Sequence, residues 1–225
     1  MIVLYWMTPD PVTVTAEDSL FDVWKLLRAH AIRRVPVVED EDRLVGLIGR
    51  ADLYRFASRA QVRGPAAGVR DSLEPIRVGD VMSQDPTTCE VNDHLEVVSE
   101  KMRKLKIGAF PVLSRGHLVG MISETDLLRA LGELAGVDSG AERITVRVPT
   151  SQDGERTCEI VDLCRRYSLE LSAVLTHQIL EDSATMTTLR VREQQSSAEG
   201  ENEGKKVDEF VQALWKAGFN VVDRS

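Results

Sequence analysis

The sequence predicts a mixed α+β / α/β protein, with two like units packed about a pseudo-twofold and a smaller C-terminal domain of ferredoxin-like βαββαβ order. Three observations predict it. The first is a long internal repeat: Met7, Asp10, Pro11, Thr13, Asp18 and Leu20 return as Met82, Asp85, Pro86, Thr88, Asp93 and Leu95, 75 residues on. The spacing persists at Ile32/Ile107, Pro36/Pro111 and Val37/Val112, and becomes 74 for Gly46/Gly120, Ile48/Ile122, Asp52/Asp126 and Arg55/Arg129. A period this long, present twice, argues for two packed units rather than a solenoid. The second observation is that both copies alternate strand and helix patterns in the same order. The third is a change of pattern from Glu142 onward.

Each copy opens on a proline-flanked strand, Val12 to Val14 and Thr87 to Val91. A helix follows, with Leu20, Val23, Trp24 and Leu27 inward in the first copy and Leu95, Val98, Met102 and Leu105 in the second. Asp18 or Ser19, and Asp93, are candidate N-caps. A buried strand around a proline comes next, Arg34 to Val38 and Ala109 to Leu113, then a turn and a second strand, Leu44 to Ile48 and Leu118 to Ile122. Each copy closes on a helix starting near Asp52 or Asp126. The boundaries read as 1–58 for the first unit, 59–75 for a Gly/Ala/Arg/Pro-rich linker, 76–135 for the second unit, 136–141 for a second linker and 142–225 for the last domain.

In that last domain Arg143 to Val148 alternates as a strand. A loop over Pro149 to Gly154 leads to a helix with Ile160, Val161, Cys164 and Tyr167 inward. Leu169, Leu171, Ala173 and Leu175 mark a second strand, and Met186, Leu189 and Val191 a third. Val207, Phe210, Val211, Leu214 and Trp215 form a helical stripe before a last strand at Phe219 to Val222. The order is βαββαβ.

Composition narrows function. A formal net charge of −8 argues against nucleic acid as the main partner, since phosphate binding needs a basic face. No apolar run approaches a membrane span, and the short apolar start reads as a strand rather than a signal peptide. Cys89, Cys158 and Cys164 lack metal or redox spacing and read as small buried apolar residues of a reducing compartment, the cytoplasm being the simplest home. No Walker loop, nucleophile elbow, dinucleotide fingerprint or paired histidine motif occurs, so neither a catalytic centre nor a metal site is expected.

The chemistry sits at the end of each copy. In Gly120-Met121-Ile122-Ser123-Glu124-Thr125-Asp126 a strand ends on a hydroxyl residue, and an acid follows three residues later on the first helical turn. An ionised carboxylate there can accept hydrogen bonds from both hydroxyls of a ribose, and the helix N-terminus suits a nearby phosphate. The same Ser-x-x-Asp spacing is also a capping box that satisfies backbone N–H groups. Both readings stand on the residues alone.

Taken together, the Met7-Thr8-Pro9-Asp10-Pro11 and Met82-Ser83-Gln84-Asp85-Pro86 openings, the Val35-Pro36-Val37 and Phe110-Pro111-Val112 strands and the closing segments resemble a tandem pair of CBS domains, the Bateman module. The resemblance implies a non-catalytic regulatory protein that needs no cofactor. It would bind an adenosyl ligand (AMP, ADP, ATP or S-adenosylmethionine) between the units. It also implies that Ser123 and Asp126 hold the ribose, and Asp52 likewise in the first copy, where Gly49 stands in place of the hydroxyl residue. Thr13 and Thr88 match positions that line the base or ribose. Arg33, Arg34 and Arg50 of the first copy stand at the repeat positions of Gly108, Ala109 and Glu124 in the second. The arginines are phosphate candidates unless they pair with Glu39, Asp40, Glu41 or Asp42, and Gly108 and Ala109 leave room for a base.

The C-terminal part resembles an ACT domain, through its βαββαβ order and the glycine before its first helix. That resemblance implies pairing into a homodimer and an amino-acid site on Ser151, Asp153 and Gly154, where backbone N–H groups could hold a carboxylate; a plain connecting loop is the alternative. A CBS pair followed by an ACT domain is similar to the acetoin-utilisation AcuB-like proteins, a likeness that fixes neither activity nor regulated partner. The alternative to a sensor is a dimeric interaction scaffold with degenerate pockets, which Gly49 favours and the Ser123–Asp126 pair disfavours.

Overall fold

Helical spacing of apolar residues sets the first long helix of each repeat in the computed structural model, which describes residues 1–59, 70, 73–149, 153–179, 184–193 and 204–225. These residues separate into two compact units, Met1–Leu128 and Arg129–Ser225. In the first repeat helix α1 (Leu20–Ala29) buries Leu20, Val23 and Leu27 on one face. Its N-cap is Ser19, whose Oγ accepts the Asp22 N–H at 3.1 Å. Asp18 does not cap the helix; its carboxylate accepts the Thr15 N–H at 2.6 Å and so holds the preceding turn. Asp93 does the same for Glu90 N–H at 2.9 Å, while His94 occupies the N-cap of the second repeat's helix without a side-chain bond.

The rest of each repeat is a hairpin and a closing helix. Strands β2 (Arg34–Glu39) and β3 (Arg43–Gly49) pair antiparallel and lead into α2 (Arg50–Arg59). In the second repeat α3 (Leu95–Leu105), β6 (Ala109–Ser114), β7 (His117–Ser123) and α4 (Glu124–Leu134) repeat this plan. The β6–β7 turn is Arg115-Gly116, both at positive φ (52° and 86°), as a tight two-residue hairpin requires. The closing helices begin at Arg50 and Glu124, two residues before the expected acids. Most of the first expected linker lies outside the described residues; the second forms a short 3-10 turn, Val137–Ser139.

The opening segments do not stay with their own repeats. Strand β1 (Thr8–Pro9) pairs with β7 of the second repeat, and β4 (Ser83–Gln84) with β3 of the first. The exchange extends upstream on both sides. Val3 N–H donates to Asp93 O at 2.9 Å and Leu95 N–H to Met1 O at 3.0 Å. Their counterparts are Val78 N–H to Asp18 O at 2.9 Å and Leu20 N–H to Ile76 O at 3.0 Å. Val78 is fully buried in the first repeat's core. The sheets therefore run β1-β7-β6-β5 and β2-β3-β4, with β5 (Cys89–Glu90) parallel to β6 and Val14 bridging Val37 at the matching place. The expected opening strand is reduced in the first repeat to that single bridge.

Two glycines make the exchange possible. A Cβ on Gly46 would lie 2.4 Å from Met82 Sδ and 3.2 Å from Ser83 O. On Gly120 it would lie 2.5 Å from Met7 Sδ and 3.0 Å from Thr8 O. Each glycine lets the other repeat's opening Met-Ser/Thr segment lie flat on its strand.

The C-terminal unit contains β8 (Glu142–Pro149), α5 (Asp153–Arg166), β9 (Leu169–Gln178), β10 (Ala184–Glu193), α6 (Lys205–Lys216) and β11 (Asn220–Arg224). Its sheet is antiparallel in the order β11-β8-β10-β9, which is the expected split βαβ arrangement. Ile144, Val146, Val148, Leu189, Val191, Ile160, Phe210 and Leu214 form its core. Two expectations fail here. Leu175 is exposed because the β9–β10 register shifts at Arg190/Val191, which moves Val174 rather than Leu175 onto the core face. Trp215 is 54% exposed, because the core of α6 closes on Val207, Phe210 and Leu214.

Gly120→Val should lower stability by roughly 1–3 kcal/mol in chemical denaturation, because Thr8 O is backbone and cannot swing aside. The thiols give a second test. Burial pushes the Cys89 thiol up to about 12 and the Cys164 thiol up to about 11, whereas Cys158 is exposed, contrary to the reading of three buried cysteines. Both raised groups stay protonated through neutral pH and favour the fold until the pH rises past the ordinary thiol value. A thiol reagent at pH 8 should modify Cys158 alone in the folded chain and all three cysteines in denaturant.

Candidate functional site

The exchanged openings place each repeat's first turn against the other repeat's closing segment. Within the N-terminal unit this creates two cavities related by the repeat. The first, of about 420 Å³, is lined by Thr8, Asp10, Pro11 and Val12 from the first opening and by Met121, Ser123, Thr125 and Asp126 from the second repeat's closing segment. The second, of about 610 Å³, is lined by Ser83, Pro86 and Thr87 with Leu47, Gly49, Ala51 and Asp52. Both volumes suit a small organic ligand. Asp10 and Asp85, at φ 44° and 46°, turn each opening toward its cavity; a short polar side chain tolerates that left-handed conformation.

The acids sit where the spacing placed them, and both cap their helices. Ser123 N–H donates to Asp126 Oδ2 at 2.9 Å, as Gly49 N–H does to Asp52 Oδ2 at 2.9 Å. Ser123 adds a second bond, Oγ–H to Asp126 Oδ2 at 2.6 Å, short as a charge-assisted bond should be. Gly49 has no hydroxyl to match it. Asp52 also pairs through Oδ1 with Arg55, and its side chain is only 15% exposed. The capping reading is thus realised in both repeats. It holds one oxygen of each carboxylate, a group that offers about four lone-pair sites, against the backbone at the start of its helix.

The wall shared by the two cavities is Arg33, Arg34, Gly108 and Ala109. Glu39 is engaged by Arg43, and among the described residues neither Arg33 nor Arg34 forms an ion pair. Of these two cavities Arg50 lines the second, and it donates to Ile32 O at 3.4 Å. A Cβ on Gly108 would lie 2.8 Å from a carboxylate oxygen of Glu124, so that glycine makes room for Glu124 at the rim.

Thr13 and Thr88 are not among the lining residues; Val12 and Thr87, one position earlier, face the cavities. Thr88 instead offers its carbonyl to Lys101 Nζ at 2.8 Å. Sequence reasoning missed His30, the C-cap of α1, and Lys106, which lines the second cavity. Lys106 was findable, as it stands at the repeat position of Ala31 in the first cavity. Of the C-terminal candidates, Ser151 lies outside the described residues. Asp153 opens α5, and Gly154 lies in its first turn rather than in a loop before it, with open space where a Cβ would stand. Among the described residues no cluster of three His, Cys, Asp or Glu could hold a metal ion, and no helix is long and apolar enough to cross a membrane.

Two interlocked repeats with paired cavities define a tandem module. The CBS domain family matches residues 3–59 and 78–133, and the chain belongs to that family. A CBS domain-containing protein of Dictyostelium discoideum is 32% identical over 135 residues, covering 58% of this chain and 91% of that protein. The inosine-5'-monophosphate dehydrogenase of Korarchaeum cryptofilum is 30% identical over 119 residues, 52% of this chain but only 22% of the dehydrogenase. Among solved structures, an acetoin utilization protein (AcuB) of Vibrio cholerae superposes with TM-score 0.53 at 27% identity, covering 62% of this chain and 97% of that one. CBSX2 in complex with AMP superposes with TM-score 0.50 at 24% identity, covering 58% and 95%, a likeness of fold.

Removing the caps tests the local geometry. Asp126→Ala and Asp52→Ala should each cost about 0.5–2 kcal/mol by denaturant titration. Ser123→Gly, which copies the first repeat, should cost less than Asp126→Ala because the backbone cap survives.

Proposed function

We propose that this chain is a non-catalytic regulatory protein that senses an adenine nucleotide or another adenosyl ligand in its CBS pair. The observation that carries the reading is the first cavity, where Asp126 and Ser123 meet Arg33 and Arg34 beside the small Gly108 and Ala109. A ribose diol donates to the Asp126 carboxylate, the base lies over the small residues and the phosphate meets the arginines. The fold is shared with a protein crystallised with AMP, which supports the ligand class. Occupancy shifts the relative pose of the two repeats only as far as the ligand binds one pose better than the other.

The C-terminal unit acts in this reading as an ACT-like domain, for dimerisation or for amino-acid sensing near Asp153 and Gly154. Homodimerisation in the cytoplasm is part of the proposal, and the exposed row Leu128, Leu131 and Leu134 on α4 supports it. The regulated partner would be another protein. A second reading, an interaction scaffold with degenerate pockets, is favoured by Gly49 and by the engagement of Asp52 with Arg55 in the second cavity.

Calorimetry and thermal shift with AMP, ADP, ATP and S-adenosylmethionine separate the two. The sensor reading expects heat and a raised melting temperature with at least one of them, worth about 2.7 kcal/mol at roughly 100 times Kd. Asp126→Ala should abolish the signal and Asp52→Ala reduce it less. No response at millimolar ligand would leave the scaffold.

A further inference from the structure

Arg33 and Arg34 belong to both cavities, so neither cavity owns its positive charge. The charged side chains lining the first cavity are Asp10, Arg33, Arg34 and Asp126; His30 also lines it. Without the arginine pair, that cavity presents two carboxylates. The second adds Arg50 and Lys106 to the pair, against Asp52 and Glu124. Without the pair it keeps Arg50 and Lys106, against Glu124 and an Asp52 already engaged by Arg55. An anionic group in either cavity therefore draws on the same two guanidiniums.

We propose that the two cavities are coupled through this doublet, so that one phosphate-bearing ligand occupying its arginines disfavours a second, while an uncharged ligand is free of the penalty. The proposal rests on the nucleotide reading above and adds a rule of occupancy to it. Among the described residues, Arg33 and Arg34 are the arginine and lysine side chains that line the first cavity, beside His30. A phosphate held by them leaves the second cavity with Arg50 and Lys106 alone for its own anion, and the two anions then face each other across a shared wall. The effect is reciprocal, as any coupling between two binding equilibria must be. The chain so built reports the presence of one anionic ligand over a wide concentration range rather than counting two.

The test is calorimetry of the full chain with AMP and with adenosine. Adenosine measures how unequal the cavities are without charge. The ratio of second to first Kd for AMP should exceed that for adenosine by at least about tenfold, and the excess should shrink as sodium chloride is raised. In Arg33→Gln/Arg34→Gln, checked for an unchanged melting profile, AMP should weaken toward adenosine and lose the excess. Equal ratios for the two ligands would overturn the coupling while leaving the nucleotide reading intact. An excess that persists in the double variant would also overturn it. Absence of binding by either ligand would overturn both readings.

Discussion

The architecture of the N-terminal unit depends on a reciprocal exchange of backbone. Residues Met1 to Pro9 complete the second repeat, and residues Ile76 to Gln84 complete the first. Neither repeat closes its own sheet edge or caps its own core, so each supplies what the other lacks. Val78 buried in the first repeat's core shows how deep the exchange goes. A 60-residue unit buries too little surface to be comfortable alone. Interlocking two makes one folding body from a pair of marginal ones, and the glycines at 46 and 120 are the local condition for it.

The same exchange builds the cavities. Because the first opening crosses to the second repeat, Asp10, Pro11 and Val12 arrive opposite Ser123 and Asp126, residues more than a hundred positions away in the chain. The second opening does the same for Asp52. Backbone geometry is thus duplicated, and the differences between the two cavities are carried by side chains alone. Ser against Gly, Glu124 against Arg50, and Lys106 against Ala31 all sit on equivalent backbone.

Much of this was legible in the sequence, because a repeat fixes equivalences without reference to any structure. It placed both acids, the arginine doublet and the small residues Gly108 and Ala109 on matching segments. It could not say which copy an opening strand pairs with, since a period of 75 residues is equally satisfied by pairing within a repeat or across repeats. Thr13 and Thr88 came from the family resemblance and lie one residue past the lining Val12 and Thr87, on segments that turn at Asp10 and Asp85. In the C-terminal unit the alternation of β9 was read correctly up to the bulge and lost beyond it, because one unpaired residue inverts every later face. Lys106 was not singled out, although the repeat places it at a cavity, in the position of Ala31.

Capping and ligand binding at Asp126 are not rival roles. A flexible carboxylate would have to be ordered at the moment of binding, at a cost of about 0.5–1.5 kcal/mol for a rotamer-rich side chain. The bonds from Ser123 N–H and Oγ–H meet that cost when the chain folds, and they fix the carboxylate at the cavity wall. In the first repeat the backbone bond is kept, but Gly49 supplies no hydroxyl and Arg55 takes the other oxygen. Asp52 is therefore held by the same backbone bond as Asp126 and lacks only the hydroxyl bond. The helix cap accounts for the same acid at both places. The presence of a hydroxyl at one and its absence at the other accounts for why the two cavities are expected to differ in what they hold.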